Sequence, residues 1–292
     1  MAMVEVTGLV RTFTRRPMPW SRPVTVRAVD GISFTIDEGE TFGLVGESGS
    51  GKTTTARCML RLIEPSAGSF IFRGQDVFGL PPSRLRALRR EIQMVFQDPD
   101  ASLDPRMRAG AIVEEGLVIH GVGSAAERRA RAREMFDLVG LDASQADRFP
   151  HEFSGGQRQR IGIARALALQ PRLLVADEPV SALDVSIQAQ IVNLLLDLRQ
   201  QLRLTLLLVA HDLRLIRHVC ARVAVMYRGR ILEMGAADAI FSHPTHPYTR
   251  ALLSAAPDPD LERQPGRITF DPADIDPTAQ LREVTPGHFA AL

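Results

Sequence analysis

Cysteine and aromatic residues are scarce in this sequence, and their scarcity excludes several kinds of protein. The 292 residues include two cysteines, one tryptophan and two tyrosines. Two cysteines cannot supply the disulfide framework of a small secreted domain or a four-cysteine metal cage. Cys58 and Cys220 fall in segments with helical periodicity, so we expect both to be buried thiols.

The sequence also lacks an excess of either charge and any long apolar run. Its 35 basic and 34 acidic residues leave a formal net charge of +1, so electrostatics give no reason to expect a nucleic-acid partner. No run approaches the roughly 18 apolar residues of a membrane-spanning helix, and the first residues lack the layout of a secretory signal. We therefore expect a cytoplasmic chain, and its 45% hydrophobic content predicts a sizeable folded core.

Lysine is the rarest of the charged residues. The sequence has 34 arginines and a single lysine, Lys52. The compact ammonium group of lysine and the planar guanidinium group of arginine are not interchangeable where a point charge must fit between oxygen atoms. A lone lysine among so many arginines therefore indicates a chemical role for Lys52.

The pattern of apolar residues predicts an α/β chain with a helical insertion. Early strands are separated by turn signals at Gly31 and at Glu38–Gly39, with a proline-rich loop over Arg15–Pro23. Helical periodicity replaces strand signals from Asp98 to about Arg165. Later alternation of strands and helices predicts a parallel sheet, and the polar carboxyl-terminal segment predicts a loosely ordered, peripheral tail. The predicted strands cover residues 4–10, 32–36, 41–45, 173–176, 205–209 and 223–227, and the predicted helices cover residues 53–62, 109–120, 125–139, 186–201, 213–219 and 248–255.

Residues 46–53 read GESGSGKT and match the phosphate-binding loop pattern G-x-x-x-x-G-K-[ST]. They lie between a predicted strand and a predicted helix, which is the context that this loop requires. Backbone N–H groups of such a loop, together with the amino terminus of the following helix, bind phosphate oxygens. We expect Lys52 to reach the β- and γ-phosphates and Thr53 to offer its hydroxyl to Mg²⁺.

Two further segments carry chemistry that suits a nucleotide. Residues 173–178 read LLVADE, a buried strand that ends in Asp177 and Glu178 at the sheet edge where ligands bind. Asp177 can hold Mg²⁺, and Glu178 can orient and deprotonate a water molecule. Residues 153–160 read FSGGQRQR and predict a helix that Ser154 caps, so that the N–H groups of its two glycines can bind an anion.

Together with three shorter motifs, these segments resemble the ATP-binding subunit of ABC transporters over about residues 3–255. All six motifs stand in the order of that family. Residues Gly46–Thr53 resemble the Walker A loop, Gln97 resembles the Q-loop glutamine, and Ser154–Gln157 resemble the SGGQ signature. Asp177 and Glu178 resemble Walker B, Ser181–Asp184 resemble the D-loop, and His211 resembles the switch histidine.

The resemblance implies a fold and a set of site residues. The fold is a RecA-like P-loop NTPase core of the α/β class with an amino-terminal β-rich layer and a helical subdomain at about residues 98–165. Residues 1–240 are the implied nucleotide-binding domain, and residues 241–292 are an extension. Adenine is expected to stack on Phe13, with Trp20 as the alternative. The implied ATP-binding residues are Phe13, Gly46, Glu47, Ser48, Gly49, Ser50, Gly51, Lys52, Thr53, Thr54, Ser154, Gly155, Gly156, Gln157 and Asp184; the implied catalytic residues are Gln97, Glu178 and His211; and the implied Mg²⁺ ligands are Thr53, Gln97 and Asp177.

Two more stretches resemble the oligopeptide, dipeptide and nickel branch of ABC importers. They are residues 96–107, FQDPDASLDPRM, and residues 243–257, HPTHPYTRALLSAAP. The sequence lacks the cysteine cluster of many such extensions, so we expect no iron–sulfur cluster. We expect His243 and His246 to pack in a loop rather than bind a metal, because prolines at 244 and 247 interrupt any helix there. Phe153 and Ala210 depart from the family pattern, but neither replaces a reacting group.

The resemblance also implies partners. ATP lies between two ATPase subunits packed head to tail, and the second subunit is a paralogue or an identical copy. Two transmembrane permease subunits and, indirectly, an extracytoplasmic solute-binding protein complete an importer for oligopeptides or dipeptides at the cytoplasmic face of the membrane. The alternatives are an importer ATPase for another solute such as nickel, a soluble ABC ATPase acting on nucleic acid or ribosomes, and a non-catalytic subunit. Glu178 and His211 argue against the last, and the single nucleotide-binding unit argues against the soluble class.

Overall fold

The fold is seen in a computed structural model that describes residues 2–16, 18, 21–181, 183–255, 268–271, 275–276 and 278–292. Trp20 and Ala182, which the sequence singles out, lie outside the described residues. The chain forms two compact units: the first unit comprises residues 1–79 and 208–292, and the second unit comprises residues 80–207.

The described chain begins with strands, continues through a run of helices and then alternates strands and helices from β7 to β9, as the sequence predicts. The strands are β1 (Ala2–Arg15), β2 (Val24–Asp37), β3 (Thr41–Val45), β4 (Ala67–Phe72), β5 (Gln75–Asp76), β6 (Ile92–Val95), β7 (Leu173–Asp177), β8 (Thr205–Ala210), β9 (Arg222–Tyr227), β10 (Arg230–Ala236), β11 (Leu281–Thr285) and β12 (His288–Ala291). The helices are α1 (Lys52–Met59), α2 (Pro82–Leu88), α3 (Pro99–Ser102), α4 (Ala109–Ile119), α5 (Ala125–Leu138), α6 (Gly155–Leu167), α7 (Val185–Leu202), α8 (Leu213–Val219), α9 (Ala237–Ser242) and α10 (Pro247–Ala255). None of these helices combines the length and apolar composition needed to cross a membrane.

An antiparallel sheet of order β2-β1-β4-β5 forms the amino-terminal part of the first unit. The β-rich amino-terminal layer is therefore confirmed, but the predicted turn at Gly31 is wrong. Leu9 pairs with Ile32 and Val10 pairs with Asp30, so Gly31 is an extra residue within β2, at φ +73°. A glycine with positive φ serves a turn and a β-bulge equally well, so its presence alone cannot distinguish them.

The first unit also contains strands in the order β11-β12-β10-β9-β3. Here β3 and β9 are parallel, and β9 turns through Arg228 and Gly229 into the antiparallel β10. Both turn residues have positive φ, at 44° and 86°, as a two-residue hairpin turn requires. The strand β10 is not among the predicted strands, because Arg-Gly is not one of the usual residue pairs for such a turn.

The expectation of a loosely ordered tail is wrong for residues 281–291. There β11 and β12 form a hairpin, and β12 pairs with β10 through Glu233–Ala290 and Met234–Phe289. The tail reads as polar because β11 is largely exposed, whereas His288, Ala290 and Ala291 of β12 are buried. The overall composition of the segment is therefore polar, although most of β12 is buried.

Glu233 is the centre of a buried polar network, which comprises Glu233, Thr245, His246 and His288. Its carboxylate is fully buried. Oε1 lies 2.7 Å from Nε2 of His288 and accepts the N–H of Thr245 at 2.6 Å, while Oε2 accepts the N–H of His246 at 3.0 Å. The Glu233 network therefore links β10 to β12 and to the residues that precede α10.

The second unit contains the parallel pair β6 and β7 and the predicted helical insertion. Residues 98–165 form helices α3 to α5 and most of α6, with two short 3-10 helices at Ala143–Asp147 and Pro150–Glu152, which confirms the helical character of this region. The outer boundaries of the predicted domains stay predictions.

Both cysteines are buried free thiols, as predicted. Burial is the main cause that raises the pKa of Cys58, to about 11, and it also raises the pKa of Cys220. A thiol with a raised pKa is protonated and unreactive at neutral pH. The two cysteines therefore act as small apolar side chains.

The substitution Glu233→Gln is expected to destabilise the first unit. The amide nitrogen of glutamine would face one of the donors that now point at a carboxylate oxygen, at a fully buried position. We expect a loss of about 2–3 kcal/mol and a fall in Tm of about 5–10 °C by circular dichroism. The control is Glu5→Gln on the exposed side of β1, which should melt like the wild type. Equal Tm values for the two variants would contradict the network.

Candidate nucleotide-binding and catalytic site

The predicted phosphate-binding loop connects β3 to α1 and is closely surrounded by backbone. Gly46 and Gly51 have positive φ values, 149° and 109°. A Cβ atom at Gly46 would lie 2.0 Å from the carbonyl oxygen of Met226, and one at Gly51 would lie 2.1 Å from that of Ala28. Only glycine fits at these two positions, because the atoms in the way belong to backbone that cannot rotate aside.

Lys52 begins α1 and points its ammonium group into the loop. Its side chain is 3% exposed, and Nζ donates to the carbonyl oxygens of Gly46 at 2.8 Å and Glu47 at 2.9 Å. The first turn of α1 contains no acidic residue, so nothing there offsets the positive end of the helix dipole. Thr53 and Thr54 follow in that turn and are partly exposed. The loop, the cation and the helix terminus together suit a phosphate.

Glu47, Ser48 and Gly49 form the exposed crest of the loop, and Ser50 is buried behind it. The carbonyl oxygen of Ser50 accepts the N–H of Gly229 from the β9–β10 turn at 2.8 Å. The N–H of Glu47 donates to the hydroxyl oxygen of Tyr248 at 3.4 Å. Nothing in the loop's own sequence pattern points to this contact with α10, because Tyr248 lies 201 positions away from Glu47.

The two carboxylates of the LLVADE segment lie at the end of β7, in the second unit. Asp177 is fully buried. Glu178 has φ +45°, an uncommon conformation for a residue that is not glycine, and such conformations cluster at functional sites. Nε2 of Gln97 donates to Oε2 of Glu178 at 3.0 Å. The structure thus brings together two of the three predicted catalytic residues.

A tight turn follows Glu178. The carbonyl oxygen of Glu178 accepts two hydrogen bonds from Ser181, one from its N–H at 3.2 Å and one from its hydroxyl at 3.1 Å. Asp184 then precedes the first turn of α7 with an exposed side chain. The predicted D-loop is therefore the connection between Glu178 and α7.

The SGGQ segment starts α6, and Ser154 caps the helix as predicted. The Ser154 hydroxyl accepts the N–H of Gln157 at 3.4 Å, and the Gln157 side chain accepts the N–H of Ser154 at 2.9 Å. The hydroxyl cap uses the amide of Gln157 and not those of Gly155 and Gly156. That the N–H groups of the two glycines bind an anion stays a prediction.

Residues 98–103, which follow the Q-loop glutamine, bind to helix α6. Asp98 caps α3, and the carboxylate of Asp100 lies 2.5 Å from Nε of Arg158. The carbonyl oxygen of Ser102 accepts from Arg165 at 2.6 Å. The segment that follows Gln97 is thus tied by two arginines to the helix that Ser154 caps.

Two other predicted residues lie in the first unit. Phe13 is in β1 and 37% exposed, and the guanidinium of Arg11 lies 4.4 Å from the centre of its ring. His211 directly follows β8 and is exposed. The roles of both residues in binding ATP stay predictions. Among the described residues, no group of three or more His, Cys, Asp or Glu side chains is placed to hold a metal ion, and His246 packs against the Glu233 network instead.

Comparison with known proteins identifies the family. The family model for the ABC transporter matches residues 29–181. The dipeptide transport ATP-binding protein DppF of Lactococcus lactis is 51% identical over 98% of this chain and 93% of its own length. The oligopeptide transport ATP-binding protein OppF of Bacillus subtilis is 51% identical over 91% of this chain and 90% of its own length. The chain belongs to the ABC transporter family. It is an ATP-hydrolysing ABC protein, as its motifs predict.

The solved structures agree with this assignment. The dimeric ATP-binding cassette MJ0796, in a post-hydrolysis state with ADP and Pi, has a TM-score of 0.71 and 31% identity over 80% of this ABC protein and 99% of its own chain. The predicted P-loop NTPase fold is therefore confirmed. A second family model, described as the C-terminal region of oligopeptide/dipeptide transporters, matches residues 232–278. This match confirms the predicted resemblance to the oligopeptide branch, and it contains Glu233, His246 and Tyr248.

Replacing Gly156 or Gly162 by alanine is expected to shift stability in opposite directions. A Cβ at Gly156 would lie 2.6 Å from Cγ2 of Ile187, a stiff β-branched side chain, so Gly156→Ala should cost about 1–2 kcal/mol. A Cβ at Gly162 meets no described atom within 4 Å outside the helix's own backbone, so Gly162→Ala should gain about 0.5–1 kcal/mol from helix propensity. Urea unfolding midpoints measure both effects. A Gly156→Ala midpoint at or above that of the wild type would show that Ile187 does not confine Gly156.

Proposed function

We propose that this chain is the ATPase subunit of an ABC importer for oligopeptides or dipeptides, at the cytoplasmic face of the membrane. The observation that carries the nucleotide site is the loop of residues 46–53, in which glycine is required at two places and a buried lysine faces inward. The peptide substrate is supported by the match of residues 232–278 to the C-terminal region of oligopeptide/dipeptide transporters, and by the names of the relatives.

ATP is proposed to bind with its phosphates in the loop. The N–H groups of residues 49–54 and the ammonium of Lys52 would hold the phosphate oxygens, and the present bonds of Nζ to two carbonyl oxygens place it within the loop for that purpose. Thr53 and Asp177, with Gln97, provide the oxygen ligands that Mg²⁺ prefers. Mg²⁺ would neutralise charge on the phosphates when it is bound. The adenine ring would stack on Phe13.

Hydrolysis is assigned to the carboxylate of Glu178. Its Oε2 already accepts a hydrogen bond from Gln97, which orients the group, and the carboxylate can accept a proton from an attacking water molecule. His211 is proposed to donate to the γ-phosphate. The roles of these three residues differ: Glu178 moves a proton, Gln97 orients the carboxylate, and His211 stabilises charge.

Two ATPase subunits are proposed to close on ATP. Ser154, Gly155, Gly156 and Gln157 of one subunit would contact the γ-phosphate bound to the other, because a capped helix with free glycine amides suits an anion. The related cassette MJ0796 is a dimer in its solved structure. ATP would favour the closed pair and hydrolysis would release it, so that closure drives two permease subunits. The second ATPase subunit is a paralogue or an identical copy.

Glu178→Gln is expected to stop transport while ATP still binds. Glutamine preserves the shape of the side chain and its position at φ +45°, but it cannot accept a proton from water. In vesicles with the permease subunits and the solute-binding protein, peptides should stimulate the wild-type ATPase. The variant should lose at least about 100-fold in ATP turnover, in line with the loss of a general base. ATP turnover close to wild type would refute the assignment of Glu178, and stimulation by nickel but not by peptides would refute the substrate class.

Lys52→Arg is expected to weaken the binding of Mg·ATP strongly. The buried ammonium fits between two carbonyl oxygens 2.8 and 2.9 Å away, a space shaped for a point charge and not for a planar guanidinium. We expect Kd to rise by about 30-fold or more, as for the loss of one charged hydrogen bond. The matched control is Arg57→Lys, at an exposed position of the same helix, which should bind normally. Unchanged affinity in Lys52→Arg would contradict the phosphate-binding loop.

A further inference from the structure

The hydroxyl of Tyr248 contacts the backbone of the phosphate-binding loop. Its oxygen accepts the N–H of Glu47, the second residue of the loop, with N and O 3.4 Å apart. The tyrosine is 1% exposed, and burial is the main cause that raises the pKa of its hydroxyl above the ordinary value. The side chain therefore stays neutral at physiological pH and can keep accepting this bond.

The residues that the structure describes leave space beside the loop on the side of Tyr248. Glu47 and Tyr248 both line a cavity of about 500 Å³, together with Tyr227 and Phe270. Space at this point means that side-chain packing does not fix the backbone of Glu47 from this direction. Among the described residues, the hydrogen bond that the N–H of Glu47 donates to Tyr248 restrains the loop on this side, in addition to the bonds that the carbonyl oxygen of Glu47 accepts from Lys52 and from the N–H of Ser50.

Tyr248 itself is held rigidly. Its ring lies 4.6 Å from the ring of Tyr227, the only other tyrosine of the chain, and 5.3 Å from the ring of Phe270. Its backbone N–H donates to Nδ1 of His246 at 3.0 Å, and His246 belongs to the Glu233 network. Both its ring and its backbone are therefore fixed, and the Glu233 network also holds β12.

We propose that Tyr248 is a positioning residue for the phosphate-binding loop, and that the carboxyl-terminal extension sets the affinity of this subunit for ATP through it. The proposal rests on the nucleotide site proposed above. It assigns a role in the ATPase to a residue that lies almost 200 positions after the loop and outside all six nucleotide motifs.

The physical reason is preorganisation. A loop that binds phosphate must present several N–H groups at once, and any freedom it has before binding is lost on binding. A hydrogen bond that holds Glu47 reduces this freedom in the nucleotide-free protein. Loss of one such bond is expected to weaken binding about 2- to 10-fold, without the complete loss that follows from removing a ligand of the phosphate.

The test is Tyr248→Phe in the full chain. Phenylalanine keeps the ring between Tyr227 and Phe270 and removes only the hydroxyl. We expect Kd for Mg·ATP, measured with a fluorescent ATP analogue, to rise about 2- to 10-fold. Hydrogen exchange of residues 46–50 in the nucleotide-free protein should become faster. Exchange in β10 should stay as in the wild type, because the Glu233 network is untouched.

The matched control is Thr249→Val, one residue further along α10. Its hydroxyl is fully buried and has no hydrogen-bond partner among the described residues, so its removal takes a buried hydroxyl from the same helix without touching the loop. This variant should bind ATP like the wild type. A rise in Kd of the same size in both variants would assign the effect to general damage in α10 and overturn the proposal.

The outcomes separate the proposal from the function on which it rests. If the wild type binds Mg·ATP and Lys52→Arg binds it much more weakly, the nucleotide site stands. Tyr248→Phe with wild-type affinity and wild-type exchange at residues 46–50 would then overturn the positioning role alone. If the wild type fails to bind Mg·ATP, the proposed function fails, and the positioning role fails with it.

Discussion

The close approach of backbone to backbone around the phosphate-binding loop is the constraint on which the candidate site depends. The loop passes so near the carbonyl groups of Ala28 and Met226 that side chains are excluded at Gly46 and Gly51. Gly229 in the β9–β10 turn links the two sides, because its N–H binds Ser50 and its carbonyl oxygen accepts the N–H of Asp30. The loop is therefore built into three segments of the first unit, and its shape does not depend on its own sequence alone.

The sequence predicts what local chemistry and periodicity determine. The strand–loop–helix order around Lys52, the cap at Ser154 and the bounds of α4 and α5 to within a residue all follow from rules that operate over a few residues. The family resemblance singled out Gln97 and Glu178 separately, and the structure adds that their side chains are in contact.

Pairing between strands explains the failures. Gly31 is a bulge because of how β1 is paired with β2. The strand β12 depends on its pairing with the distant β10, whereas β10 follows β9 through a turn whose residues carry no hairpin signal. The hydrogen bond between Tyr248 and Glu47 likewise joins residues that are far apart in sequence. One signal was available: Glu233 is a single acid in the apolar run of residues 231–234, and a buried acid requires partners. Such a residue indicates that a buried polar network exists, but it does not identify the other residues of the network.

The excess of arginine has a structural use in the second unit. Several arginines donate to backbone carbonyl oxygens at the ends of helices and loops: Arg158 to Phe153, Arg165 to Ser102 and Arg160 to Val139. A planar group with several donors can satisfy a carbonyl and still pair with an acid, as Arg158 does with Asp100. Arginine thus suits positions such as 158, where one side chain binds a carbonyl oxygen and an acid together. Lys52 is at a different kind of position, where its compact ammonium group lies between two carbonyl oxygens.

The discontinuous first unit has a consequence for synthesis. Residues 80–207 form a unit that is contiguous in the chain, so a ribosome delivers all of it in one stretch. The first unit is completed later, because its amino-terminal sheet precedes residues 80–207 in the chain, whereas His288, the partner of the buried Glu233, follows them. Until His288 is made, Glu233 lacks one of its partners and the edge of β10 that pairs with β12 stays open. An open strand edge in a nascent chain can aggregate, so it needs protection by neighbouring chain segments or by a chaperone.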